Sequence, residues 1–372
     1  MKLSRAGQTL VALLESCDVQ IGGDRPWDIR VHNDAVFDRV LSSGTLGLGE
    51  AYMDGWWDCE ALDQLFCKLL RSDIQSKLKP DIAFIGSVLR GRLLNNQRSK
   101  YKEVGEAHYD IGNDLYERML DRRTIYSCGY WAQANNLDDA QEAKLDLICR
   151  KLDFKPGERI LDIGSGWGGF LKFSAQRYGV SGVGVTISKE QAAFANATRG
   201  DLPIETKLID YMSLEGQFDK IVSIGMFEHV GYKNYRAYLS KVRSLLKPDG
   251  MFLLHTIGGN ETVSHGDPWM EKYIFPHGML PSPKQITSAA EGNLVIEDWH
   301  NFGADYDPTL MAWLKNFDAA WPHLSASYDE RFRRMWRYYL MMCAALFRAR
   351  HSQLWQVVFS AKGVEGGYRS VR

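Results

Sequence analysis

From residue 138 onward, short unbroken apolar runs alternate with stretches whose apolar residues recur at helical spacing. DDAQEAKLDLICRKLD (138–153) puts Leu145, Ile148 and Leu152 on one helical face, and Pro156-Gly157 ends it. ERILDIG (158–164) predicts a strand running into a glycine turn, and FLKFSAQRYG (170–179) a helix closed by its last glycine. VSGVGVTIS (180–188) predicts a second strand and KEQAAFANATRG (189–200) a second helix. IETKLID (204–210), FDKIVSIGMF (218–227) and MFLLHTI (251–257) are further strands, the last preceded by a turn at Lys247-Pro248-Asp249-Gly250. LWQVVFSA (354–361) follows a long helix and predicts an antiparallel edge strand. Such alternation implies an α/β fold with a parallel sheet covered on both faces. At the start of the chain, Leu10, Leu13 and Leu14 have the spacing of an amphipathic helix, and no small-residue cleavage site of a signal peptide follows them.

The 372 residues suit about two domains. The division falls at a basic connector near 86–105, where Arg90, Arg92, Arg98, Lys100 and Lys102 precede the first acid. The expected domains are a small N-terminal one over 1–88, a linker over 89–105 and a catalytic one over 106–372. With 45% apolar and 24% charged residues, the composition excludes a disordered or fibrous chain. The net charge of −1 leaves attraction to anions to local patches, and a nucleic-acid partner is not expected. Six cysteines without C-x-x-C spacing call for no metal site and suit a reducing cytosol. No apolar stretch approaches the roughly 20 residues that span a bilayer. YYLMMCAALF (338–347) reads as a core helix, so any membrane contact is from the surface.

The first strand leads into Leu161-Asp162-Ile163-Gly164-Ser165-Gly166-Trp167-Gly168-Gly169. A glycine turn between strand and helix lets a nucleotide-like ligand approach the backbone. Gly164, Gly166 and Gly169 satisfy the dinucleotide pattern G-x-G-x-x-G, and Gly164, Gly166 and Gly168 the G-x-G-x-G of S-adenosylmethionine (SAM) enzymes. Two details favour SAM. Asp162 offers a carboxylate for the methionine ammonium, and the second strand ends in Val185-Thr186-Ile187-Ser188, without the acid that binds an NAD ribose.

LGLGEAYMDGWW (46–57), EAHYDIGNDLY (106–116), YSCGYW (126–131), LDIGSGWGG (161–169), MFEHVG (226–231), LLHTIG (253–258), WHNFGADYDPTLMAW (299–313) and LWQVVFS (354–360) together resemble the cyclopropane-fatty-acyl-phospholipid synthase family over nearly the whole chain. Ser165 departs from it, standing where the family commonly has Cys. The resemblance implies a class I SAM-methyltransferase (Rossmann-like) seven-stranded sheet with a smaller, mainly helical N-terminal lipid-binding domain. It also implies transfer of a methylene group from SAM to the cis double bond of an unsaturated phospholipid acyl chain, with a bound bicarbonate as general base. Carried over by match, the bicarbonate scaffold is Cys128, Glu228, His255, the Ile257 backbone and Tyr306. Cys343 is a further catalytic candidate whose alternative is a core thiol. For SAM, Tyr126 and Ser127 are assigned to the carboxylate end, Asp162, Gly164 and Gly166 to the methionine moiety, and Gly168 to the same cofactor turn. Thr186 and Gln191 are assigned to the ribose and Tyr211 to the adenine. A homodimer is expected on the same ground, and basic patches in the chain predict that it sits peripherally on the inner face of the cytoplasmic membrane.

The chemistry asks for a methyl group held in line, a dry pocket, π faces near positive charge and a scaffolded base. His255 and Glu228 each follow a strand, at the edge where α/β sheets bind ligands. Glu228 either orients His255 or shares a proton with the anion. Lipid contact is expected from the connector and from a second basic run, 331–364, which holds Arg331, Arg333, Arg334, Arg337, Arg348, Arg350 and Lys362 without an acid. Trp27, Trp56 and Trp57 face the same choice between lipid and core. Two other functions stand beside the leading one: a conventional methyltransferase, and a non-catalytic SAM-binding lipid module.

Overall fold

The computed structural model describes residues 5–72 and 112–372. Its elements begin with α1 (Arg5–Glu15), β1 (Arg30–Val31), α2 (Val36–Met53), β2 (Trp57–Asp58) and α3 (Leu62–Arg71). There follow α4 (Asn113–Met119), α5 (Leu137–Lys151), β3 (Arg159–Ile163), α6 (Gly169–Tyr178), β4 (Ser181–Thr186), α7 (Lys189–Ala197), β5 (Ile204–Leu208) and β6 (Phe218–Ile224). The chain continues through α8 (Tyr235–Leu245), β7 (Leu246–Gly259), α9 (Pro268–Tyr273), α10 (Pro283–Ala290), β8 (Val295–Asn301), α11 (Tyr306–Leu324), α12 (Glu330–Arg348) and β9 (Ser352–Ser360).

Two compact units result, and they are not consecutive in sequence. One gathers α1 to α3 with residues 264–276 and 310–352; the other holds 112–263, 277–309 and 353–372. This differs from a simple division at the basic connector, which itself lies outside the described residues. The amphipathic α12 explains the grouping. Its buried Tyr338 meets Tyr52 of α2, Phe66 of α3 and Trp269 of α9, with ring centroids 5.6, 5.2 and 4.6 Å apart. The run YYLMMCAALF is thus core, as its pattern predicts. No helix among the described residues is long and apolar enough to cross a membrane.

The basic run on α12 is not a free cationic face. Arg331 pairs with Asp54 at 3.0 Å, Arg334 with Asp58 at 2.6 Å, Arg348 with Asp63 at 2.6 Å, and Arg337 with Asp318. Lys362, in the other unit, pairs with Asp249 at 2.9 Å. The neutralising acids come from distant sequence, which a local charge count does not see. Trp57 is core, its Nε1 donating to Leu48 O, while Trp27 and Trp56 lie beneath cations, Lys68 at 4.5 Å and Arg39 at 4.7 Å.

The second unit is built on a seven-stranded sheet of order β5-β4-β3-β6-β7-β9-β8. β3 to β7 pair parallel and β8 pairs antiparallel with β9. Both faces are covered, and the alternation is visible residue by residue. Leu161, Ile221, Phe252 and Val357 belong to one core cluster, and Ile160, Val222, Leu253 and Val358 to the other. β9 is not at the edge: it lies between β7 and β8, and all nine of its residues are buried. An unbroken apolar strand needs a neighbour on each side and a layer on each face. The expected turn at 247–250 lies within β7. Leu246 opposes Phe218 and Met251 opposes Lys220, so the Pro-containing stretch bulges between two registered residues.

Candidate active site

The parallel strands end in one row of loops, where this class of sheet binds ligands. Gly164, Gly166 and Gly168 take φ of +84°, +52° and +78°, a region that strains residues with a Cβ. Gly164 N and Ser165 N both donate to Val185 O, pinning the turn to β4. Nothing lies within 4 Å of where a Gly166 Cβ would stand, which leaves the turn open to a ligand. Asp162 is buried just before the turn, and its Oδ1 has no protein partner. Burial pushes its carboxyl up to about 7, against the pull of Lys144. An unpaired buried carboxylate oxygen beside an open glycine turn fits a ligand ammonium. Ser165 is buried too, its hydroxyl unpartnered and against Gly184.

The 126–131 loop is held from two sides. From α5, Gln141 Nε2 donates to Ser127 O at 2.7 Å and Lys144 Nζ to Ser127 Oγ at 2.9 Å. From the first turn of α11, Thr309 Oγ1 accepts from Gly129 N at 3.1 Å and from Trp131 Nε1 at 2.8 Å. Asp305 Oδ2 accepts from Trp131 N at 2.7 Å. These bonds place Tyr306, between Asp305 and Thr309, on the segment that clamps the loop carrying Cys128. The Cys128 thiol lies 3.7 Å from Thr309 Oγ1 and donates to Gly129 O. Burial pushes it well above its ordinary value, so it stays protonated.

β6 and β7 bring the acid and the imidazole. Gly225 N donates to His255 O at 2.9 Å, and the Gly225 Cβ position stands 3.8 Å from Ser127 Cβ, so the end of β6 abuts the loop. Glu228 follows in a short turn; its Oε1 accepts from Ile257 N at 2.7 Å and its buried Oε2 has no partner. Burial raises the Glu228 carboxyl to about 7. His255 is buried, and burial first, then Lys144 and Lys151, hold its pKa well below the ordinary value. Gln356 Nε2 donates to His255 Nδ1 at 3.2 Å, which puts the ring proton on Nε2, an atom without a partner. Phe302 stands edge-on to the imidazole at 5.9 Å, and Tyr130 and His300 extend that ring cluster.

The other assigned residues divide. Thr186 Oγ1 donates to Gln191 Oε1 at 2.9 Å, which joins the two side chains and fixes the amide by its oxygen. Tyr126 is half-buried, edge-on to Tyr116. Tyr211 packs in the core, edge-on to Tyr238 at 5.3 Å. Cys343 belongs to the other unit, on α12, where burial pushes its thiol up to about 12 and so disfavours a nucleophilic thiolate.

Residues 96–357 match the family model for mycolic acid cyclopropane synthetase. The chain belongs to that family. It is 54% identical over 361 residues to the cyclopropane-fatty-acyl-phospholipid synthase of Escherichia coli K12, an alignment covering 97% of this chain and 94% of that protein. Among solved structures, the cyclopropane synthase MmaA2 from Mycobacterium tuberculosis superposes with a TM-score of 0.66 at 29% identity, over 70% of this chain and 98% of that one. Mycolic acid cyclopropane synthase CmaA1, complexed with SAH and CTAB, superposes at 0.65 with 31% identity over the same shares. The fold is thus a class I SAM-methyltransferase fold.

In this cyclopropane synthetase family member, sequence reasoning passed over Gln141, Lys144, Thr309 and Gln356. Gln141 and Lys144 sit three residues apart and look like a solvated helix face, yet both are wholly buried. Gln356 gave a signal, being the one polar residue inside the apolar run LWQVVF. Gln356→Leu removes the donor that fixes the His255 tautomer. Its kcat is expected to fall about tenfold with SAH affinity unchanged, measured by turnover and calorimetry.

Proposed function

We propose that this protein transfers a methylene group from SAM to the cis double bond of an unsaturated acyl chain of a membrane phospholipid, forming a cyclopropane fatty acid. The observation that carries this reading is the 54% identity to a cyclopropane-fatty-acyl-phospholipid synthase over 97% of the chain. The unpaired Asp162 oxygen and the open turn at Gly166 support SAM as the donor, as does the SAH complex of a structural neighbour. In this reading Asp162 meets the methionine ammonium, Tyr126 and Ser127 its carboxylate, Gln191 with Thr186 the ribose, and Tyr211 borders the adenine.

A bicarbonate, when bound, supplies the base that removes the proton from the added carbon. The Glu228 Oε2, the His255 Nε2–H, the Cys128 thiol and the Tyr306 hydroxyl are the groups that would hold it. The raised pKa of Glu228 removes the apparent conflict of a carboxylate beside an anion, because near neutral pH the carboxyl carries a proton much of the time. The Ile257 N–H is already engaged by Glu228, so Ile257 acts by fixing that carboxyl. Phe302, edge-on to His255 and backed by the rings of Tyr130 and His300, gives that side of the imidazole an apolar wall. Each aromatic face turned toward a developing cation stabilises it by about 0.5–2 kcal/mol.

The test incubates the protein with SAM and vesicles of cis-unsaturated phospholipid, with and without bicarbonate. Cyclopropane ring protons by NMR, with loss of the alkene and dependence on bicarbonate, are expected. A methyl branch would turn the reading to a conventional methyltransferase, and unchanged lipid to a binding module. A homodimer and peripheral binding to the inner face of the membrane belong to the same proposal; the homodimer rests on the resemblance, and the membrane binding rests on the basic patches. With the α12 arginines ion-paired, its charge component falls to the connector. Flotation with anionic vesicles is expected to weaken as salt is raised.

A further inference from the structure

We propose that Lys144 is a positioning residue for the amino-acid head of SAM: its buried ammonium, 2.9 Å from Ser127 Oγ, aims that hydroxyl at the carboxylate and supplies the opposite charge. The inference rests on the reading above that Ser127 meets the carboxylate.

An ammonium has three donors and no acceptor. Its contact with Ser127 therefore makes Oγ an acceptor from Lys144, and the hydroxyl's own proton turns away, free to be donated to an anion. Lys144 is wholly buried, yet no carboxylate among the described residues comes within ion-pair distance of its Nζ. The titratable groups that act on it are Asp121, Cys128 and Asp162, of which Cys128 stays a neutral thiol. Asp121 has both oxygens engaged, by Ile125 N at 2.7 Å and Arg123 N at 3.0 Å. Asp162 retains an unpaired oxygen. A buried cation and a buried anion thus stand close enough to couple but apart, each lacking an ionic partner in contact. Separated opposite charges of this kind complement a zwitterion, with the ligand ammonium at Asp162 and the ligand carboxylate on the Lys144 side. A buried ammonium left with one neutral hydroxyl is costly, and an arriving carboxylate relieves that cost. Burial moves the Lys144 pKa down to about 8, which still leaves it mostly charged at neutral pH.

The experiment measures three ligands by calorimetry: SAH, its decarboxylated analogue, which keeps the ammonium, and 5′-methylthioadenosine, which has neither group. The parent protein is expected to prefer SAH over the decarboxylated analogue by about tenfold or more, the scale of a hydrogen bond to a charged group. Lys144→Met should erase most of that preference while binding methylthioadenosine as the parent does, and Lys144→Gln, a neutral donor to Ser127, should fall between. A methionine variant that keeps the full preference overturns the proposal. If the parent itself shows no preference, the placement of the carboxylate at Ser127 fails, a result distinct from an unchanged variant. If Lys144→Met no longer binds methylthioadenosine, the protein has been disrupted. The test then passes to Ser127→Ala, for which loss of preference supports the proposal and retention overturns it.

Discussion

Glu228→Gln is expected to keep the fold and SAH binding and to lower methylene transfer by about 10²–10⁴-fold, the usual worth of an acid–base group. The amide retains an oxygen to accept from Ile257 N, so the 2.7 Å bond that sets the turn survives. What disappears is the second oxygen, buried, unpartnered and able to exchange a proton with a bound anion. Full turnover of this variant without bicarbonate would refute the role given to Glu228. The same substitution has a signature in stability. Burial holds the Glu228 carboxyl near 7, whereas in the unfolded chain it ionises near 4.5. Between these values the folded state binds the extra proton, so this group's contribution to stability falls as pH rises through that window. Asp162, raised to about 7, acts in the same direction; His229 and His255, both lowered, act oppositely below pH 6.5. The difference between variant and parent isolates Glu228. Denaturant unfolding of the ligand-free protein at pH 5 and pH 8 should show the parent losing up to about 3 kcal/mol that the variant does not lose.

Gly164→Ala is expected to abolish SAH binding and to destabilise the protein by about 2–4 kcal/mol, by strain and overpacking together. The added Cβ would lie 2.7 Å from both Cβ and Cγ of Met226, on a backbone with φ of +84°. Met226 precedes Phe227 and Glu228, so the displacement is passed to the turn that carries Glu228. Gly166→Ala is the informative control. At φ of +52° a Cβ costs about 1 kcal/mol, and it would meet no protein atom within 4 Å. This variant should fold nearly normally and still lose SAH, because its methyl group enters the space kept for the ligand. Unfolding and calorimetry on both variants separate the two effects, and a Gly166→Ala protein with parental SAH affinity would show that the turn is not the cradle.

How far the chain could be read in advance follows from the range of the forces involved. The helix over 137–151 and the strands through β6 lie within a few residues of their predicted ends, because they rest on caps, glycine stops and apolar spacing. Gly179 closes α6 in a left-handed conformation, and the Asn136 side chain caps α5. The candidate site was legible in part for the same reason: Asp162 and the glycine turn follow β3, Glu228 follows β6 and His255 lies on β7, whereas YSCGYW, in a loop between α4 and α5, was read only through its resemblance to a family.

Partnership was not legible. Thr309 reaches Gly129 across 180 residues, Gln356 reaches His255 across 101, and Lys144 reads as a solvent-facing lysine until α5 is packed. Arg331, Arg334, Arg337 and Arg348 of α12 look unpaired in sequence and are matched by Asp54, Asp58, Asp318 and Asp63 in space. By itself the amino-acid order determined where backbone turns, helix ends and strands must fall, since these depend on φ preferences and neighbours a few residues away. Only tertiary structure decided that β9 is central, which charges are cancelled, and which buried oxygens and nitrogens remain without partners. Burial and proximity are properties of the packed chain, and they set the proton affinities on which the proposed chemistry depends.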